Sequence, residues 1–96
     1  MTRAEIDALP GSVLFEFGAA WCGYCRALRP QVPQLLGDFP QVRHIIIEDG
    51  PGEPLGRSFG VKLWPTLVFL CDGQVTRQAV RPAPQEVGEG LKALVA

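Results

Sequence analysis

The chain has 96 residues, of which 47% are hydrophobic and 20% are charged, and its formal net charge is -1. This length supports one hydrophobic core, and the composition excludes a disordered tail. The near-neutral charge disfavours nucleic-acid binding, and every apolar run is too short to insert into or cross a membrane.

The first part of the chain predicts a short helix followed by a buried strand. Thr2 and Glu5 have the spacing of a capping box, and Pro10 ends the helix that they begin. Residues 13–17 are Val-Leu-Phe-Glu-Phe. This run is too apolar for a strand with one solvent-exposed face, so it predicts a central strand that is buried on both faces of the sheet.

The next predicted element is a helix with two prolines inside its apolar pattern. Apolar residues recur at helical spacing over residues 22–36. Pro30 and Pro33 each remove a backbone donor and push their rings toward the preceding turn. We therefore expect the helix to kink or split near Arg29.

Three strands and two helices are predicted in the second half. Residues 42–47 form an apolar strand and residues 54–59 a short helix, and Pro82 and Pro84 introduce a final amphipathic helix with apolar residues at helical spacing from Val87 to Val95. Asp72-Gly73 separates two apolar runs, which is a strong signal for an antiparallel hairpin. We expect one α/β domain over residues 1–96, with a mixed sheet of about four strands and helices on both faces.

Cys22 and Cys25 are the main candidate catalytic residues. They are two residues apart at the start of a predicted helix, where the N-terminus favours a thiolate on Cys22. Cys22 can attack a substrate disulfide, and Cys25 can then resolve the mixed disulfide. The alternative is a structural zinc site, which needs four ligands; beyond the pair the chain offers only His44 and Cys71, and these fall on separate predicted strands. We therefore predict redox chemistry and no metal.

Two segments resemble the thioredoxin family. Residues 15–25, Phe-Glu-Phe-Gly-Ala-Ala-Trp-Cys-Gly-Tyr-Cys, are similar to its active-site region, and residues 61–69 contain its second signature, a Pro-Thr that enters an apolar strand. The resemblance implies a thioredoxin-like fold and a protein-disulfide reductase. It further implies a cis peptide bond before Pro65, with the backbone of Trp64 pairing with the substrate chain.

The resemblance also implies roles for other residues. Glu16 occupies the place of a buried Asp beneath the cysteines and would exchange a proton with Cys25; the alternative is a strand carboxylate that reaches solvent at a sheet edge. Trp21 would shield the disulfide and contact substrate, or pack for stability alone. Gly23 and Tyr24 would also contact substrate.

The chain departs from common thioredoxins at several positions. Gly23-Tyr24 replaces Gly-Pro and is the pair found in bacterial periplasmic disulfide isomerases. The reduction potentials of proteins with such motifs range from roughly -270 to -120 mV, so the motif leaves the direction of electron flow open. Trp64 is bulky, and Arg81 stands where thioredoxins often have glycine. Both changes predict a narrower substrate groove around Cys22 and therefore fewer protein substrates than a general thioredoxin has.

The sequence thus predicts a reductase of protein disulfides that contributes to redox homeostasis. Its alternatives are an isomerase or oxidase of the same fold and a non-catalytic binding module. No cofactor is expected beyond the redox-active disulfide of Cys22 and Cys25. Electrons would come from a thioredoxin reductase or another thiol donor. We expect a monomer, and the N-terminal residues show no export signal, which predicts a cytoplasmic location.

Overall fold

The computed structural model describes residues 1–96 and contains nine helices and strands. In chain order these are α1 (Arg3–Asp7), β1 (Ser12–Gly18), α2 (Gly23–Leu28), α3 (Gln31–Leu36), β2 (Arg43–Glu48), α4 (Pro54–Ser58), β3 (Thr66–Cys71), β4 (Gln74–Val80) and α5 (Pro84–Val95). All the predicted elements are present. None of the helices has the length and apolar character needed to span a membrane.

The four strands form one mixed sheet in the order β2-β1-β3-β4. Strand β1 is parallel to β2 and antiparallel to β3, and β3 is antiparallel to β4. The hairpin between β3 and β4 turns at Asp72 and Gly73, whose φ angles are 51° and 79°. Positive φ at both central residues is the type I′ geometry that Asp-Gly favours, so the predicted hairpin is confirmed.

Strand β1 is buried on both faces, as predicted. Phe15 and Phe17 pack on one face with Phe59, next to α4, whereas Leu14 packs on the other face with Leu28 of α2. Burying each of these side chains contributes about 1.5–3 kcal/mol. Because side chains alternate along a strand, Glu16 and Gly18 share the Leu14 face and point toward α2.

The predicted split in the long helix occurs at Arg29 and Pro30. Helix α2 ends at Leu28, and Pro30 is the N-cap of α3. The side-chain amide of Gln31 donates to the carbonyl oxygen of Ala27 at 3.0 Å, so this carbonyl accepts a hydrogen bond across the break. Helix α2 is consequently a short element whose first turn lies at the carboxyl end of β1.

Candidate active site

The predicted cysteine pair lies where the chain leaves β1 and enters α2. Cys22 is the N-cap of α2, and Cys25 lies within its first turn. Both thiols are free. Cys22 is 7% exposed and Cys25 is fully buried, and both pack against Ala19 and Trp64. Cys22 is therefore the more accessible of the two residues, although neighbouring groups cover most of it.

The surroundings of the two cysteines shift their pKa values in opposite directions. The Cys25 thiol, and next the backbone N–H of Cys25, hold the pKa of Cys22 below that of an ordinary thiol. Burial raises the pKa of Cys25 to about 11. Since the thiolate is the attacking species, the lowered pKa makes Cys22 the more reactive of the two thiols, while Cys25 stays protonated at neutral pH.

Trp64 and Pro65 border the cysteine pair. The peptide bond between them is cis, as the resemblance implied. The Cys22 thiol lies 3.9 Å from the carbonyl oxygen of Trp64. The indole Nε1–H of Trp64 donates to Asp49 Oδ2 at 2.9 Å, and this hydrogen bond fixes the ring beside the thiol.

A groove of about 420 Å³ runs past Cys22. The predicted substrate-contact residues Trp21, Gly23, Tyr24 and Trp64 line it together with Lys62, Leu63 and Arg81. Pro65 is buried and lines an adjoining cavity. Trp21 and Tyr24 are 75% and 61% exposed. Large exposed aromatic side chains beside a reactive thiol form a surface suited to a protein partner.

Glu16 is completely buried in the central strand, so the alternative of a solvent-facing carboxylate at a sheet edge is wrong. His44 Nε2 lies 3.0 Å from Glu16 Oε1. Arg29 Nε lies 3.4 Å from Glu16 Oε2, an ion pair that lacks hydrogen-bond geometry. The Arg29 guanidinium offsets part of the cost of burying this carboxylate.

Gly18 brings this polar cluster next to Cys25. A Cβ atom at Gly18 would lie 2.6 Å from Cys25 Sγ and 3.7 Å from Arg29 Nη2. The missing side chain therefore leaves the space that the Cys25 thiol occupies. The Arg29 guanidinium, which pairs with Glu16, borders the same space.

The sequence did not identify Arg29, His44 and Asp49 as parts of the site. Arg29 follows Cys25 by four residues, so it lies on the same helix face, and this spacing was the available signal. The positions of His44 and Asp49 depend on the register between β1 and β2, which sequence patterns do not give. Cys71 lies on β3, separated from β2 by β1, and no group of three or more His, Cys, Asp or Glu residues could hold a metal ion.

Comparisons with known proteins agree with this geometry. The family model described as Thioredoxin matches residues 3–93. Thioredoxin 2 from Pseudomonas aeruginosa PAO1, solved in its reduced form, superposes with a TM-score of 0.86 and 49% identity, covering 99% of this chain and 89% of that one. The predicted thioredoxin-like fold is confirmed.

Curated relatives extend the match to two kinds of protein. Thioredoxin Asp f 28 of Aspergillus fumigatus is 31% identical over 90% of this chain and 81% of its own length. Protein disulfide-isomerase A2 of Pongo abelii is 36% identical over 83% of this chain, but the match covers only 16% of that larger protein. The similarity to the isomerase thus concerns a small part of it.

Proposed function

The chain belongs to the thioredoxin family and is a thiol-disulfide oxidoreductase, and on this premise we propose that it reduces disulfide bonds in other proteins. The observation that carries the proposal is the position of the two thiols at the start of α2, with Cys22 as the partly accessible N-cap and Cys25 buried in the first turn. The pKa shifts agree with this arrangement, since the pKa is lowered at Cys22 and raised to about 11 at Cys25. The isomerase and non-catalytic alternatives are not favoured, because thioredoxins match over most of their own length.

In the first step the Cys22 thiolate attacks one sulfur of a substrate disulfide. A bond forms between Cys22 and that sulfur, the substrate disulfide breaks, and the other substrate sulfur leaves as a thiolate that takes up a proton. The exposed rings of Trp21 and Tyr24 hold the substrate beside Cys22, and the backbone of Trp64 pairs with it.

In the second step Cys25 attacks the sulfur of Cys22. This closes the Cys22–Cys25 disulfide and releases the second substrate sulfur, so the substrate gains two electrons and the protein loses them. Glu16 accepts the proton of Cys25. The fully buried position of Glu16 supports this role, as does Arg29, which adjoins both the carboxylate and the thiol.

Serine variants of single cysteines test the assignment. Cys25→Ser should accumulate a stable mixed disulfide with a substrate such as insulin, because nothing remains to resolve it. Cys22→Ser should form none, and Cys71→Ser, which alters a thiol outside the site, should turn over like the wild type. A mixed disulfide through Cys25 or Cys71, detected by mass spectrometry, would contradict the assignment.

Disulfide-containing proteins are the proposed substrates, and a thioredoxin reductase or another thiol donor is the proposed source of electrons. The chemistry needs no cofactor beyond the two thiols. The direction of electron flow is tested by equilibrating the Cys22–Cys25 pair with glutathione and dithiothreitol buffers. A potential near roughly -270 mV supports a reductase, and one near roughly -120 mV contradicts it. The monomeric state and the cytoplasmic location stay predictions.

A further inference from the structure

The side chain of Arg81 extends across the groove beside Cys22. Its Nε–H donates to the carbonyl oxygen of Trp64 at 2.8 Å, and its guanidinium carbon lies 4.1 Å from the ring centroid of Tyr24. Arg81 therefore contacts residues of both segments that border the thiol. The Trp64 carbonyl, which the proposed function assigns to substrate pairing, is already occupied.

The backbone of Arg81 adopts a conformation that is unfavourable for any residue other than glycine. Its φ is +48°, in the left-handed region that glycine enters freely and that residues with a Cβ enter at a steric cost. Its N–H donates to the carbonyl oxygen of Pro65 at 2.8 Å, which holds the residue in place. A costly residue at the edge of an active site suggests that its side chain has a use there.

The charge of Arg81 has little part in activating Cys22. The lowered pKa of Cys22 comes chiefly from the Cys25 thiol and backbone, and the Arg81 charge contributes the least of the named causes. The other two guanidinium nitrogens of Arg81 make no hydrogen bond within the protein, and Arg81 has no ion pair. Its free donors are consequently available to an incoming group.

The composition of the groove indicates what that group is. The lining contains two cationic residues, Lys62 and Arg81, together with aromatic and aliphatic side chains, and it contains no carboxylate. A guanidinium with free N–H groups binds a carboxylate in a bidentate geometry, through two parallel N–H···O hydrogen bonds. Charge complementarity therefore favours an acidic peptide.

We propose that Arg81 is a specificity-determining residue that binds a carboxylate side chain beside the substrate cysteine, so that the protein prefers acidic disulfide-containing peptides. This inference rests on the proposed function. An acidic side chain would draw the guanidinium away from Trp64 and free the carbonyl oxygen for the substrate backbone. Binding of the acidic side chain by Arg81 and exposure of the Trp64 carbonyl oxygen are thereby coupled.

Three synthetic disulfide peptides test the proposal, identical except for Glu, Gln or Lys next to the attacked cysteine. Single-turnover rates of Cys22 oxidation are followed by thiol trapping. The wild type should reduce the Glu peptide roughly threefold to fivefold faster than the Gln peptide, the upper range for an exposed ion pair, and the Lys peptide most slowly. The preference should vanish near 1 M salt, where the screening length is about 3 Å.

Variants separate Arg81 from general charge effects. Arg81→Gln should lose the preference and Arg81→Lys should keep part of it. Arg77→Gln, which removes the same charge from an exposed position of β4, should behave like the wild type. The peptide and salt comparisons use the wild type alone, so they test the preference for acidic peptides even if an Arg81 variant does not fold.

The outcomes distinguish this proposal from the one on which it rests. Equal rates for the three peptides, or a preference that Arg81→Gln retains, would overturn the specificity role while leaving the reductase function intact. Failure to reduce any of the peptides and insulin would overturn the reductase function itself.

Discussion

Adding one methyl group at Gly18 should damage both the stability of the protein and its second chemical step. The Cβ of alanine would lie 2.6 Å from Cys25 Sγ, about 1 Å short of an unstrained contact. Cys25 is fully buried, so neither the thiol nor α2 can move without disturbing the core. Overpacking of this kind costs about 1–3 kcal/mol of unfolding free energy.

For a domain of this size, that cost lowers the melting temperature of Gly18→Ala by roughly 5–20 °C. Circular dichroism of the reduced protein measures this shift, and stopped-flow kinetics with insulin measures how fast the mixed disulfide is resolved. Resolution should slow, because Cys25 is displaced from Cys22.

The same change at Gly88 provides the control. Gly88 lies within α5, where a Cβ would meet no atom within 4 Å, so Gly88→Ala should stabilise the protein by roughly 0.5–1 kcal/mol. If Gly18→Ala melts at the wild-type temperature and resolves mixed disulfides at the wild-type rate, then the close approach of Gly18 and Cys25 is not real.

Two further predictions concern the protons of the site. A short pulse of iodoacetamide at neutral pH should label Cys22 and spare Cys25, because the pKa of Cys22 is lowered and that of Cys25 is raised to about 11. The Cys22 rate should rise with pH and level off at a pH below the ordinary thiol pKa; peptide mapping that finds Cys25 labelled first would refute this order. Glu16→Gln should slow the resolution of the mixed disulfide by roughly 100-fold or more, since general-base assistance is lost, without slowing its formation. Glu16→Asp serves as the control that keeps the carboxylate, and an unchanged rate in Glu16→Gln would exclude the proton-transfer role.

Features set by neighbouring residues were predictable from the sequence. The capping box at Thr2 and Glu5 forms as predicted, with the Thr2 Oγ1 accepting the Glu5 N–H at 3.1 Å. The helix splits beside Pro30, and Asp72-Gly73 forms the hairpin turn. Each feature depends on interactions within a few residues, so the local sequence carries the information.

The polar surroundings of the thiols depended on the tertiary structure. His44 meets Glu16 across 28 residues of sequence, and Arg81 meets Trp64 across 17. Contacts of this kind depend on strand register and on the packing of α2 against the sheet, which no local pattern specifies. The sequence by itself therefore identified the candidate thiols and the elements that carry them. Only the fold decided which charges face those thiols, because charges act through distance in space and not along the chain.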